Sequence, residues 1–84
     1  MGKKHQRTRK AVFTDPVSAG IAWRDVEALL VHHGGLIEEG AGSRVAVMLN
    51  GVRAVFHRPH PRKEASQPLI RDVRAFLIQV GVVP

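Results

Sequence analysis

The stretch "SRVAVMLNGVRAVFHR", Ser43 to Arg58, decides how this chain folds. Two alternating runs flank Asn50-Gly51. A tight type I′ turn needs positive φ at both central positions, and Asn-Gly is the pair that supplies this most cheaply. The stretch therefore reads as a β-hairpin with a two-residue loop, and the loop length fixes the register. Leu49 pairs with Val52, Val47 with Ala54, and Val45 with Phe56. These apolar pairs mark the face that meets the rest of the protein. The intervening pairs are Met48 with Arg53, Ala46 with Val55, and Arg44 with His57, on a solvent-facing and partly basic side.

Working outward, Leu36 to Glu39 is a third short strand, joined to the hairpin through Gly40-Ala41-Gly42. Ala22 to His33 carries Trp23, Val26, Leu29, Leu30 and His33 at helical spacing. Gly34 stands where a left-handed C-cap belongs. His32 and His33 fall in the last turn, where the helix dipole favours a cation, and read as decoration of the helix end. Beyond the hairpin, Pro68 suits a first helical turn, with Ser66 or Gln67 as cap. Leu69, Ile70, Val73, Phe76, Leu77 and Val80 then form one stripe ending at Gly81, with Arg71 and Arg74 pointing away from it. Thr8 to Phe13 reads as a short extra helix stopped before Asp15-Pro16. The fold class that follows is α/β in the α+β sense. Two amphipathic helices cover one face of a three-stranded antiparallel sheet and leave the other face open.

Eighty-four residues allow one domain with a modest core. We divide it into a basic extension over residues 1–15 and the domain proper over 16–84. Hydrophobic content of 44% and charged content of 24% mark a globular chain. No apolar run approaches the ~20 residues of a membrane span. The start "MGKKHQ" lacks the apolar stretch of a signal peptide. The absence of cysteine fits a cytoplasmic setting. The net charge is +6, and residues 1–10 supply +5 of it through Lys3, Lys4, Arg7, Arg9 and Lys10, with no acid. This segment reads first as a solvated terminus, with a phosphate-gripping arm as the alternative. Arg53, Arg58, Arg62 and Lys63 form a second basic cluster, inside the domain.

The segment "FHRPHPRKE", Phe56 to Glu64, admits three readings: a solvated basic loop, a metal clip, or a phosphodiester site. The metal reading is the weakest. Pro59 separates His57 from His60, and no cysteine or helical His pair completes a ligand set. The phosphodiester reading rests on chemistry. A guanidinium fork matches two phosphate oxygens. Imidazole, with an ordinary pKa of ~6.5, can give or take a proton at neutral pH. RNA supplies its own nucleophile, the 2′-hydroxyl.

From Trp23 onward the chain resembles the HicA toxins of HicA–HicB toxin–antitoxin modules. The resemblance is carried by "WRDVEALLVHHGG" (23–35), "GSRV" (42–45), "PHPRKE" (59–64) and the closing "VGV" (80–82). It implies a double-stranded-RNA-binding-like α-β-β-β-α fold, mRNA cleavage that stops growth, and restraint by a HicB antitoxin. RNA and that antitoxin are the implied partners, and no cofactor or metal is called for. HicA toxins usually read Gly-Ser-His at the turn, and that histidine is their catalytic residue. Here Arg44 takes its place, and a guanidinium cannot serve as a base. The second family histidine corresponds to His60. His57 has no sure counterpart, yet the hairpin register sets it across from Arg44. The expected catalytic residues are therefore His57, His60 and Arg44. Ser43, Arg53, Arg58, Arg62 and Lys63 are the expected RNA phosphate contacts. The alternative is a non-catalytic RNA-binding or HicB-binding module.

Overall fold

The computed structural model describes residues 3–17, 20–60 and 63–83. Its elements run α1 (Lys3–Val12), α2 (Trp23–His32), β1 (Leu36–Glu39), β2 (Arg44–Leu49), β3 (Val52–His57) and α3 (Gln67–Gln79). The three strands form one antiparallel sheet in the order β1-β2-β3. This is the expected α-β-β-β-α order, with a further helix in front. Among the described residues no helix is long and apolar enough to cross a membrane.

The hairpin closes as its turn chemistry dictates. Asn50 and Gly51 take φ of 51° and 77°. The register is Leu49↔Val52, Val47↔Ala54, Val45↔Phe56 and Arg44↔His57. β1 adds to the other edge of β2, with Ile37 opposite Val47 and Leu36 opposite Met48. Val45, Val47, Leu49 and Phe56 are buried on the inner face, while Arg44, Met48, Arg53, Val55 and His57 are exposed. Ala46 breaks the alternation, since as a small residue on the central strand it is shielded by its neighbours.

The helices cover the inner face through their apolar stripes. Trp23, Val26, Leu29 and Leu30 of α2 and Ile70, Val73 and Leu77 of α3 are fully buried. Phe56 ties the layers together. Its ring meets Trp23 edge-on at 6.1 Å and Phe76 at 5.9 Å. Trp23 Nε1 donates to Glu27 Oε2 at 2.6 Å, which satisfies the indole's one polar atom. α3 starts at Ser66, whose hydroxyl accepts from the Leu69 N–H at 3.3 Å. α2 has no side-chain cap. Its entry is held instead by the loop after β3, where the Trp23 N–H donates to the Lys63 carbonyl at 2.9 Å. Its exit turns back tightly, and Gly35 donates to the Leu30 carbonyl at 2.8 Å. A Cβ on Gly35 would lie 2.8 Å from that same oxygen, so the turn has no room for a side chain.

Two expectations need correction. The N-terminal helix begins at Lys3 rather than Thr8. Thr8 and Val12, one turn apart, bury against the domain, and Lys4 reaches Asp25 at 3.2 Å. Packing stabilises a helix that its lysine-rich composition did not advertise. Arg74 does not point away from the core either. Only 19% of its side chain is exposed. It donates to the Val12 carbonyl (2.9 Å), the Thr14 carbonyl (2.7 Å) and Asp15 Oδ1 (2.8 Å). The end of α1 leaves carbonyls without helical partners, and a guanidinium is well suited to collect them.

The Asn50 side chain has a second task, donating from Nδ2 to the Val80 carbonyl at the end of α3 (2.8 Å). Asn50→Ala loses this bond and places a Cβ at positive φ, so it should cost about 2 kcal/mol. Asn50→Gly keeps the turn and loses only the bond, so it should cost about 1 kcal/mol. Urea denaturation of the three proteins checks the ordering. Equal stability of Asn50→Ala and wild type would contradict it.

Candidate functional site

Arg44 and His57 face each other on the open side of the sheet. The Arg58 N–H donates to the Ser43 carbonyl at 2.7 Å, which makes 43/58 a hydrogen-bonded pair. Arg44/His57 is then a non-hydrogen-bonded pair, the kind whose side chains approach most closely. Ser43 joins them, its Oγ 3.4 Å from His57 Nδ1. Residue 44 is held by backbone as well. The Gly40 N–H donates to its carbonyl at 2.9 Å, and its own N–H reaches the Ala41 carbonyl at 3.3 Å. One imidazole and one hydroxyl thus meet, with Arg44 across the ladder from the imidazole, on a surface fixed by main-chain bonds.

His60 and Lys63 follow on the strand exit and are exposed. The Lys63 N–H donates to the His60 carbonyl at 2.7 Å, so the exit curls back within four residues. Arg62 lies outside the described residues. Arg53 shares the open face but sits opposite Met48 beside the hairpin turn. Four residues separate it from His57, about 13 Å along the strand.

Arg58 is placed differently from the other cations. It stands one residue past His57 and turns to the inner side, where only 21% of its side chain is exposed. Its guanidinium meets Glu39 at 3.3 Å through both terminal nitrogens, and Glu27 at 3.7 Å. The hydrogen bond from Arg58 holds the Glu39 carboxyl below its usual range, and the same bond raises the Arg58 guanidinium. Arg58 therefore ties β3, β1 and α2 together.

The structure also brings up residues that the sequence did not suggest. A groove of about 550 Å3 runs between β3 and the start of α3, with Ser43 and His57 on one side and Ser66, Pro68, Leu69 and Asp72 on the other. Glu64 completes it, anchored by the short bridge between Ala22 and Glu64. Nothing in the local pattern announces that bridge. Asp72 alone had a readable signal, since it lies on the polar face of α3 one turn after Pro68.

The family model of the HicA toxin of bacterial toxin-antitoxin systems matches residues 23–82. The chain belongs to this family. No curated protein and no solved structure matches it. The matched span begins at α2 and so leaves α1 outside.

A second group of histidines lies where α1 crosses α2. His5 stacks on His32 with ring centres 4.4 Å apart and planes 15° from parallel, and His33 meets His32 edge-on at 5.3 Å. His5 Nδ1 is buried with no partner among the described residues. Among those residues no group of three or more His, Asp or Glu is placed to hold a metal ion. The helix-end reading favoured a charged imidazole here, and His33 behaves oppositely. Burial, then the neighbouring His32, Arg9 and His5, push its pKa below the ordinary value. A neutral His33 suits the fold, whereas the unfolded chain protonates it readily. Stability from this group is thus complete above about pH 6.5 and falls as the pH drops below that. Urea midpoints between about pH 7.5 and about pH 5 should decline, with a flatter decline for His33→Gln. Parallel slopes for the two proteins would remove His33 as the cause.

Proposed function

We propose that this chain is a toxin of the endoribonuclease kind, which cleaves mRNA in the cytoplasm by acid/base chemistry and is restrained by a HicB-type antitoxin. The observation that carries the reading is the Arg44/His57 pair on the open sheet face, with Ser43 against His57 Nδ1.

The chemistry follows from the groups present. Through Nε2, His57 takes the proton from a ribose 2′-hydroxyl, whose oxygen then attacks the adjacent phosphorus. Arg44 balances the charge that gathers on the phosphorane oxygens. His60, on the exit turn, donates a proton to the departing 5′-oxygen. The products are a 2′,3′-cyclic phosphate and a free 5′-hydroxyl, and every proton is accounted for. Arg53 and Lys63 extend the cationic surface along which the strand lies, and Arg62, outside the described residues, is a further phosphate contact on this reading. Arg58, already paired with Glu39 and Glu27, contributes by holding the strand exit in place. An antitoxin that blocks this face presents carboxylates to it, since opposite potentials speed encounter and fix orientation.

A second reading has its own observation. Arg44 occupies the position where HicA toxins usually carry histidine, and guanidinium stays protonated. On that reading the chain binds RNA or antitoxin without cutting.

Cleavage of a defined mRNA by the purified protein separates the two. In an active enzyme, His57→Ala or His60→Ala lowers the rate by a factor of ~100 to 10,000, while His32→Ala leaves it unchanged. Arg44→Ala also lowers the rate. Vigorous cleavage that survives the loss of both His57 and His60 would refute the histidine mechanism. A silent wild type that gains activity on Arg44→His would establish the second reading.

A further inference from the structure

We propose that the outward face of α1 is a second contact surface for RNA, on the helical side of the domain and separate from the Arg44/His57 site. It rests on the reading above only in taking RNA as the ligand.

α1 is a docked helix, which a merely solvated basic tail would not be. Thr8 and Val12 are buried beneath it, Lys4 pairs with Asp25, and Arg74 collects the carbonyls at its end. It packs on α2 and α3, the layer behind the sheet. Its outward residues are Lys3, Arg7 and Lys10, all exposed. At steps of four and three they form one stripe opposite Thr8 and Val12. None of the three has a carboxylate partner among the described residues.

This helix is charged against itself. Lys3–Arg7 and Arg7–Lys10 are like-charge neighbours, which destabilise a helix. Its first turn contains lysines and no acid, so the dipole is opposed as well. Packing against the domain offsets these costs, and a row of phosphates would reverse their sign. The polyanion is identified by what lies beside the stripe. Gln6, Arg9, Lys10 and Thr14 line a shallow groove with Phe13, which is half-buried against the core, so that cations and an aromatic side chain stand together as single-stranded RNA-binding surfaces combine them. An anionic bilayer fits less well, because the apolar side of α1 is already used against the domain and none remains to enter lipid.

The test is binding of 2′-O-methyl RNA, which cannot be cleaved, to wild type and to the triple variant Lys3→Gln, Arg7→Gln, Lys10→Gln. For a strand of about thirty nucleotides, three lost contacts should reduce the slope of log affinity against log salt by about 2, with a loss of about a hundredfold at ~0.1 M salt. Each single variant should lose about fivefold at that salt. The triple variant should be at least as resistant to urea as wild type, because it removes repulsion.

An unchanged slope in the triple variant, alongside weakened RNA binding by Arg44→Ala, would overturn this inference and leave the cleavage reading intact. A reduced slope in a protein whose cleavage ignores His57→Ala and His60→Ala would do the reverse. Retained RNA affinity with lost binding to vesicles of anionic lipid would reassign the stripe to membranes and overturn the proposal. Failure of wild type to bind any RNA would end both.

Discussion

The rest of the structure depends on where Phe56 sits. Its ring lies between Trp23 of α2 and Phe76 of α3, so one side chain joins the sheet to both helices. A strand has only two faces. With Phe56 committed inward, His57 must face outward, and the register carries Arg44 outward with it. The candidate site is therefore a consequence of core packing. Burying Phe56 removes a large apolar surface from water, and a one-residue slip would exchange Phe56 for His57 in the core. The same energy that closes the domain enforces the orientation of the imidazole.

Parity also explains why cations close together in sequence have different fates. Arg44 and Arg53 face the open side, four residues of strand apart in effect. Arg58 is next to His57, but it lies on the inner side, where Glu39 and Glu27 receive it. Composition counts all of these as phosphate ligands. The fold divides them into groups that remain available and one that is already neutralised. Arg74 makes the same point on α3, because it is spent on the carbonyls of the segment after α1.

Most of the domain was legible because its signals are local. Asn50-Gly51 names its own turn, Ser66 and Pro68 name the start of α3, and Gly34 names the end of α2. The Arg44–His57 pairing followed from turn length alone. What could not be read depends on contacts between distant segments. The first half of α1 is stabilised by Asp25, by the stack of His5 on His32, and by the burial of Thr8. Arg74 reaches back about sixty positions along the chain. His33 looked like a helix end that would welcome charge, yet its environment includes Arg9 and two further imidazoles contributed partly by α1. Glu64 and Asp72 meet His57 across a groove only because the loop after β3 folds back onto Ala22. In each case the missing information was the partner and not the residue.

The arginine at position 44 shows how far fold and chemistry are separable in this domain. Main-chain bonds hold that position: Gly40 donates to its carbonyl, its N–H reaches Ala41, and the neighbouring pair is closed by Arg58 and Ser43. None of these bonds uses the residue 44 side chain. An exchange between histidine and arginine there leaves the strand, the turn and the packing of Val45 unchanged, because the side chain projects into solvent from a rigid ladder. It does change what the position can do. Imidazole can exchange a proton near neutral pH, whereas guanidinium can only hold charge and donate hydrogen bonds. Position 44 itself can thus take no part in proton transfer. His57 is the titratable side chain that the register places opposite, with Ser43 Oγ 3.4 Å from its Nδ1. The fold can keep its shape through such a substitution because the ladder holds position 44 by its backbone, and the same ladder sets a second side chain, that of His57, about 5 Å away across the strands.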